Sequence, residues 1–483
     1  MSDEPANGSI AQRASRALVW SFLNTVASRL GTLAIGIVLA RVLGPSEFGV
    51  FAIATVTMLA VLSFNELGVS LAIVRWPDDP ARIAPTVNLI SVISSVVLTL
   101  GVVVSAPSIS TALGDVRATP VVQLMAGAIL INGLVATPAA LLQREFMQRE
   151  RTIADQVNAW LGAFVSLALA LMGWGAMSLA IGRLAGSLAG AILFWRWSPL
   201  PYRFGWDRSV ARRLLGFGLP LAAASIVVFA SGYADQVIVG SMLGAQALGF
   251  YVLAFNLASW PVSIFSMPLR AVAPAAFAKI QSDPPRMTRA FTRVLGLLST
   301  VAIPACLAIS GAARPVVEFV YGPQWAPAAD ILLWLALVAA LRIWFELCYD
   351  FLVVLGRSGV VLFTQLLWFV SAMPLMILGV THAGAAGAAA GQFIAAAIVV
   401  LPSYLVVLRW AGVRPLATAR AVAVPVLIGV LLGGACFGIS VIIDSVAMAA
   451  VIAGVVSLIV VGGMVYVKRG DLQSLRSART ETT

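Results

Sequence analysis

The chain has 483 residues, of which 60% are hydrophobic and only 11% are charged. Soluble proteins have about 25% charged residues, so this composition excludes a soluble globular domain and predicts an integral membrane protein. A net charge of +11 would favour nucleic-acid binding in a soluble protein. Here, however, the basic residues lie between apolar segments, where membrane orientation and contact with anionic lipid explain them better. No nucleic-acid partner is therefore expected.

Apolar runs follow one another along nearly the whole chain. A membrane-spanning helix needs about 20 apolar residues. Fourteen runs of this kind lie at residues 17–40, 47–72, 84–106, 119–142, 154–173, 176–197, 214–239, 246–268, 290–311, 328–353, 359–380, 384–408, 420–439 and 446–467. The sequence therefore predicts an all-α integral membrane protein with about 14 transmembrane helices.

The basic residues predict the orientation of these helices. Most of the 31 Lys and Arg residues lie in the terminal segments and in every second loop between apolar runs. Cytoplasmic segments of membrane proteins carry such an excess of Lys and Arg. Both termini are therefore expected in the cytoplasm, which requires an even number of spans.

A polar segment at 198–213, with proline, aromatic and charged residues, divides the chain. The predicted organisation is a cytoplasmic tail at 1–16, an N-terminal six-helix lobe at 17–197, a cytoplasmic linker at 198–213, a C-terminal six-helix lobe at 214–408, an accessory helix pair at 420–467 and a cytoplasmic tail at 468–483.

A short motif recurs after 200 residues without a gap: residues 42–54 read VLGPSEFGVFAIA and residues 242–254 read MLGAQALGFYVLA. Each copy follows one apolar run and opens the next, which predicts a helix–turn–helix corner used twice. The structural residues of these corners are expected to be Gly44, Pro45, Gly49, Gly244 and Gly249. Since six spans separate the copies, the two lobes should be parallel repeats about an axis along the membrane normal.

Ionisable side chains inside a bilayer are costly, which makes them candidates for function. Arg29 lies within the first span, about one turn after Asn24, and a guanidinium offers a planar set of donors that matches phosphate oxygens. A structural ion pair with Glu66 in the second span is the alternative. Arg183 lies in a glycine-rich span, where it can bind a ligand or donate to neighbouring carbonyls.

The second lobe adds further ionisable residues. Asp235, in GYADQVIVG, can bind a cation or proton, or form a structural pair. Arg342, Glu346 and Asp350 are spaced four residues apart, which places them on one helix face. An internal Arg342–Glu346 ion pair and a polar face that lines a cavity are both compatible with this spacing.

Motifs of known enzyme classes are missing from the sequence. It contains no Ser–His–Asp set, no metal-ligand spacing, no P-loop and no dinucleotide fingerprint. A membrane-embedded polymerase or ligase would need a sizeable external loop, and all predicted external loops are short. We therefore expect no metal, no cofactor and no enzymatic activity.

The segments ARVLGPSEFGVFA and YADQVIVGSMLGAQALGFYVLA resemble the polysaccharide transporter (Wzx-type flippase) family of the MOP exporter superfamily. The resemblance extends over nearly the whole chain in span number and spacing. It implies a MOP/MATE-like fold of two six-helix lobes in the bacterial inner membrane. It also implies that undecaprenyl-diphosphate-linked oligosaccharide moves from the cytoplasmic to the periplasmic leaflet as the lobes open alternately. The implied partners are this substrate, membrane lipids, and a polysaccharide polymerase with other assembly proteins.

The resemblance also bears on the candidate residues. Arg29 matches, by span, a cavity arginine of the lipid II-flipping relatives, whereas span eight of this chain offers only Arg270, at its cytoplasmic end. Asp235 matches the acidic position that opens the family's span-seven motif. We expect substrate binding by Arg29, Arg183, Arg342 and Asn24, and ion coupling by Asp235, Glu66 and Glu346. A multidrug or small-molecule exporter of the same superfamily is the alternative function.

Overall fold

The computed structural model describes residues 7–65, 69–266 and 273–468. Side chains are described in these ranges except at residues 7–33, 64, 65, 224, 227, 228, 231, 265 and 274–276. All regular structure in the described ranges is helical. In lipid, a helix satisfies its own backbone hydrogen bonds, which is why apolar segments of this length fold in this way. The prediction of an all-α membrane protein is confirmed.

The chain forms two compact units, Met1–Ala230 and Ser231–Thr483. The boundary between the two units falls within α7 (Arg208–Leu243). The first unit contains the beginning of α7 and six earlier helices: α1 (Asn7–Asn65), α2 (Ser70–Arg75), α3 (Pro80–Ala112), α4 (Thr119–Arg144), α5 (Gln148–Leu171) and α6 (Ala176–Trp197). The second contains the rest of α7, α8 (Ala245–Pro261), α9 (Ala273–Lys279), α10 (Pro284–Gly311), α11 (Ala313–Tyr321), α12 (Pro327–Val354), α13 (Ser358–Ile394), α14 (Leu401–Trp410), α15 (Pro415–Ile442) and α16 (Val446–Val467).

Several helices begin at a capping residue that the sequence supplies. The Asp79 side chain accepts the Ala81 N–H at 2.9 Å, and Pro80 occupies the first position of α3. Asp283 accepts the Arg286 N–H at 3.0 Å at the start of α10. These carboxylates satisfy backbone donors that have no partner inside the helix and lie close to its positive end.

Eleven described helical segments are long and apolar enough to cross a membrane. One of them, 358–410, has 53 residues and is kinked at Ala383 and Gly384. Large apolar side chains cover the outer faces of the helices; Val104 is 79% exposed and Leu458 is 75% exposed. Such surfaces are stable in lipid, which makes this a multi-pass membrane protein. The number of fourteen spans stays a prediction.

Two glycine turns occur in both units with matching backbone angles. Gly44 has φ 72° and ψ 173°, and Gly244 has φ 83° and ψ 179°. Gly175 has φ 55° and ψ −140°, and Gly384 has φ 57° and ψ −142°. Residues with a Cβ avoid these regions, so glycine is required at these four positions. Each unit therefore contains the same pair of turns.

The polar segment between α6 and α7 packs against α3. The Asn88 side chain donates to the Arg203 carbonyl at 2.8 Å, and the Asp207 N–H donates to the Thr86 hydroxyl at 3.2 Å. Asp207 also caps α7, which begins at Arg208, within the predicted linker. This part of the chain is thus an ordered element of the first unit.

Candidate functional site

A buried polar pair joins α7 and α8 in the second unit. The Tyr251 hydroxyl donates to Asp235 Oδ2 at 2.9 Å, and the Gln236 N–H donates to Oδ1 at 2.8 Å. Asp235 is 3% exposed and Tyr251 is fully buried. The turn at Gly244 folds α8 back along α7, which brings these two side chains together. Both carboxylate oxygens therefore have a partner although the group is withdrawn from solvent.

A second group of charges lies on α12. Arg342 Nε donates to Glu346 Oε1 at 3.1 Å, which confirms that the four-residue spacing produces an ion pair. The Ser266 hydroxyl donates to Glu346 Oε2 at 2.8 Å. The side chain of Arg342 is 50% exposed, whereas that of Glu346 is 16% exposed. The guanidinium thus keeps an open side while the carboxylate is held between two helices.

The position of Ser266 depends on an irregular helix. Residues Val262–Ser266 form a π-helical segment directly after Pro261, the last residue of α8. A π-helical turn has wider hydrogen-bond spacing than an α-helix and is frequent at functional sites. Ser266, at its end, reaches the carboxylate of Glu346 on α12.

Asp235, Arg342 and Glu346 form the charge cluster of the second unit. The structure places Arg342 and Glu346 in contact and Asp235 in a separate pair with Tyr251. The charge of Arg342 acts only weakly on the Asp235 carboxylate, after burial and the hydrogen bonds that this carboxylate accepts. A buried carboxylate of this kind can take up a proton or a small cation.

The first unit has apolar residues at the positions of the Asp235–Tyr251 pair. Two hundred residues earlier in the chain stand Ile35 and Phe51. Both pack against a buried apolar cluster that includes Leu39. The repeated corner is therefore held by apolar contact in the first unit and by a hydrogen-bonded carboxylate in the second. Sequence reasoning did not identify Tyr251; the signal was the paired change from Ile and Phe to Asp and Tyr at fixed spacing.

Arg183 lies on α6, beside a seam of small residues. Gly182 and Gly186 pack against α5, where their neighbours include the backbone of Gly162 and Asn158. Arg183 itself is exposed on the adjacent face of α6. No hydrogen bond or ion pair joins it to any residue that the structure describes. A guanidinium in this environment is available to an anionic ligand.

The first corner is tied to other helices of the first unit. Glu47 Oε2 accepts the Ala176 N–H at 2.8 Å, so Glu47 caps α6 from a distance of 129 residues in sequence. Arg117 donates to the Ser46 hydroxyl at 2.9 Å and pairs with Asp115 at 2.7 Å. The hydrogen bond from Arg117 lowers the pKa of Asp115. The residues of this corner thus act as structural anchors.

Three predicted residues lie outside the described residues. They are the side chains of Asn24 and Arg29 and the whole of Glu66. Among the described residues, no group of three or more His, Cys, Asp and Glu side chains is arranged to hold a metal ion. The three cysteines are buried and unbridged.

Comparisons with known proteins give consistent matches over most of the chain. The model of a family described as "Polysaccharide biosynthesis protein" matches residues 38–330. The chain is 24% identical over 375 residues to the lipopolysaccharide biosynthesis protein WzxC of Escherichia coli (strain K12), covering 77% of this chain and 76% of that protein. It is 26% identical over 338 residues to the succinoglycan biosynthesis transport protein ExoT of Rhizobium meliloti (strain 1021), covering 68% of this chain and 66% of that protein.

Among solved structures, the lipid II flippase MurJ in an inward closed conformation matches with a TM-score of 0.78. The match covers 94% of this chain and 99% of that structure at 13% sequence identity. At this identity the similarity concerns the fold alone, and it agrees with the predicted all-α membrane fold.

Proposed function

The chain belongs to the polysaccharide biosynthesis protein family, and on this basis we propose that it is a flippase for undecaprenyl-diphosphate-linked oligosaccharide. It would move this substrate from the cytoplasmic to the periplasmic leaflet of the bacterial inner membrane, for the synthesis of exopolysaccharide, capsule or O-antigen. The observation that carries the proposal is the family match over residues 38–330. Two relatives named for lipopolysaccharide and succinoglycan biosynthesis, one of them a transport protein, support it.

The physical problem of such a substrate fits the composition of this protein. A diphosphate with several sugars cannot cross about 30 Å of hydrocarbon unaided, whereas a polyprenyl tail is stable in lipid. The protein must therefore offer cationic groups within its spans to the diphosphate. Arg183, exposed and without a described partner, supports this role, and we assign the same role to Arg29, Asn24 and Arg342.

We assign ion coupling to the charge cluster of the second unit, with Glu66 as a further candidate. Protonation of Asp235, or binding of sodium to it, would remove the negative charge that faces Arg342. Arg342, which is paired with Glu346, would then be attracted more weakly by the cluster and could turn to an anionic substrate. Because the counterpart of the Asp235–Tyr251 pair in the first unit is apolar, the response of this pair would arise in the second unit.

The remaining features follow from the same proposal. The distribution of basic residues supports cytoplasmic termini. A flippase makes and breaks no covalent bond, so no catalytic residue is assigned. A polysaccharide polymerase and other assembly proteins, which would use the translocated oligosaccharide, are the expected protein partners.

The test is a gene-deletion strain in which surface polysaccharide and lipid-linked oligosaccharide are measured together. Complementation uses the wild-type chain, Arg29→Ala and Arg183→Ala, each checked for equal amounts in the membrane. We expect deletion to remove surface polysaccharide and to accumulate intermediates on the cytoplasmic side. Both variants should restore less polysaccharide than the wild type. Unchanged polysaccharide and intermediates after deletion, in a strain with no second flippase, would instead favour export of another compound.

A further inference from the structure

A cationic cavity lies at one membrane boundary of the second unit, separate from the charges within the spans. Its volume is about 320 Å³, and it lies between residues 289–297 of α10, the first two turns of α15 and the end of α16. Its basic residues are Arg289, Arg293 and Lys468. We propose that this cavity binds the headgroup of an anionic phospholipid.

The charge of the lining favours a phosphate group. Among the described residues around the cavity, three are basic and none is acidic. Arg289 Nε donates to the Pro285 carbonyl at 3.1 Å, which fixes the side chain and leaves its two terminal nitrogens for an external acceptor. The nearby carboxylate of Asp283 accepts the Arg286 N–H as the cap of α10.

One helix N-terminus adds to this positive potential. α15 begins at Pro415, and Ala417 and Ala421 in its first two turns line the cavity. The N-terminal end of a helix carries a partial positive charge and unsatisfied N–H groups, which favour anions. The basic side chains and the N-terminus of α15 therefore both favour an anion.

The rest of the lining favours a lipid over a soluble anion. Leu297, Ala417 and Ala421 form apolar walls. On the outer surface nearby, Leu416 is 63% exposed and Val467 is 81% exposed. The acyl chains of a lipid whose phosphate occupies the cavity could thus lie along this apolar surface. Basic pockets between membrane helices bind anionic lipids in this way. The cavity is large enough for a phosphate and glycerol.

A lipid in this position would connect the accessory helices to the remainder of the unit. Near the cavity, α10 and α15 approach so closely that a Cβ on Gly296 would lie 3.4 Å from the Ala421 carbonyl oxygen. The headgroup would be held by α10 and by the end of α16, next to the close contact between α10 and α15. Since the site exists only in the folded protein, bound lipid should raise its stability.

The test compares lipids with free phosphate on the purified full-length protein in a zwitterionic detergent. The unfolding temperature is measured with added phosphatidylglycerol, phosphatidylcholine or inorganic phosphate. We expect phosphatidylglycerol to raise it more than an equal amount of phosphatidylcholine, and phosphate to leave it unchanged. The double variant Arg289→Gln/Arg293→Gln should lose at least half of the phosphatidylglycerol effect. The matched control Arg208→Gln/Arg212→Gln, which removes two exposed charges from the first turns of α7, should retain it.

An equal rise with inorganic phosphate would overturn the lipid assignment. The assignment of the site would be overturned if phosphatidylglycerol stabilised the double variant as much as the wild type, or if the control variant lost as much of this stabilisation as the double variant. If the double variant does not fold, the variant to test is Lys468→Gln, which removes one charge just after the last helix. Native mass spectrometry should then show about fivefold weaker binding of phosphatidylglycerol, the contribution expected of one basic residue beside an anionic lipid. Unchanged binding in that variant would contradict the proposal.

Discussion

The Tyr251 hydroxyl donates a 2.9 Å hydrogen bond to Asp235 Oδ2 across the turn that joins α7 to α8. The two residues are 16 positions apart, and both are buried. A buried carboxylate is tolerated only when its oxygens have hydrogen-bond partners. The hydrogen bond from Tyr251 therefore helps to stabilise Asp235 at this buried position. Any change in the charge of Asp235 must also change this hydrogen bond.

We first predict the effect of Tyr251→Phe, which gives the second unit the residue that the first unit has at position 51. The ring can still pack, but Asp235 loses one buried donor, so the variant should be less stable by about 1–3 kcal/mol. Flipping should also slow, because the carboxylate loses its fixed orientation. Detergent-induced unfolding and a vesicle flipping assay measure the two effects.

Tyr321→Phe is the control for this variant, because Tyr321 is a buried tyrosine of the same unit that packs on Trp325. It should retain wild-type transport. If Tyr251→Phe behaves like the control in both assays, the hydrogen bond does not position Asp235.

Asp235→Asn tests the proposed ion coupling. Asparagine keeps the size of the side chain and an acceptor oxygen for Tyr251, but it removes the titratable charge. We expect normal amounts of folded protein and a flipping rate that no longer responds to an imposed proton or sodium gradient. Asp330→Asn, an exposed carboxylate in the first turn of α12, should keep the gradient response. A gradient response that survives in Asp235→Asn would place the coupling elsewhere.

Replacement of the corner glycines should be costly in both units. Gly44 and Gly244 have backbone angles that only glycine adopts readily, so Gly44→Ala and Gly244→Ala should each destabilise the protein by about 1–3 kcal/mol. The controls are Gly434→Ala and Gly454→Ala, at helical positions where an added Cβ meets no atom. These should be neutral or slightly stabilising, because alanine favours the helix. Comparable losses in all four variants would show that the turn geometry is not the cause.

Asp207 should make stability depend on pH. Hydrogen bonds from Ser209, first from its hydroxyl, lower the pKa of Asp207 below its ordinary value of 3.8. A carboxylate with a lowered pKa in the folded state stabilises the protein fully above the pKa of the unfolded chain. This contribution is lost as the pH falls through the lower folded pKa.

Asp207→Ala should therefore lower the unfolding temperature near neutral pH, and its difference from the wild type should shrink as the pH falls below about 4. Asp207→Ser retains a capping hydroxyl without a titratable group, so its loss relative to the wild type should be smaller near neutral pH and should shrink over the same pH range. The measurement is thermal unfolding of the three proteins over this pH range. A constant difference between Asp207→Ala and the wild type would refute the assignment.

The sequence determined the class of the protein, because that class depends on local properties. Apolar runs of sufficient length form membrane helices wherever they occur, and a Gly that follows one run and precedes the next marks a turn. Gly44 and Gly244 were identified in this way, since only glycine tolerates their backbone angles. The four-residue spacing of Arg342 and Glu346 likewise predicted their contact within one helix.

Contacts between helices were decided by the tertiary structure alone. Glu47 caps a helix 129 residues away, Ser266 donates to Glu346, and Tyr251 donates to Asp235. None of these partners follows from periodicity, since each contact depends on how one helix is rotated against another, and that of Ser266 depends also on a π-helical turn. Hydrophobicity specifies that a helix enters the membrane, but close packing in three dimensions specifies which of its polar side chains meet. The class of this protein and the pairing of charges within one helix were therefore readable from its sequence, whereas the contacts between polar groups of different helices were not.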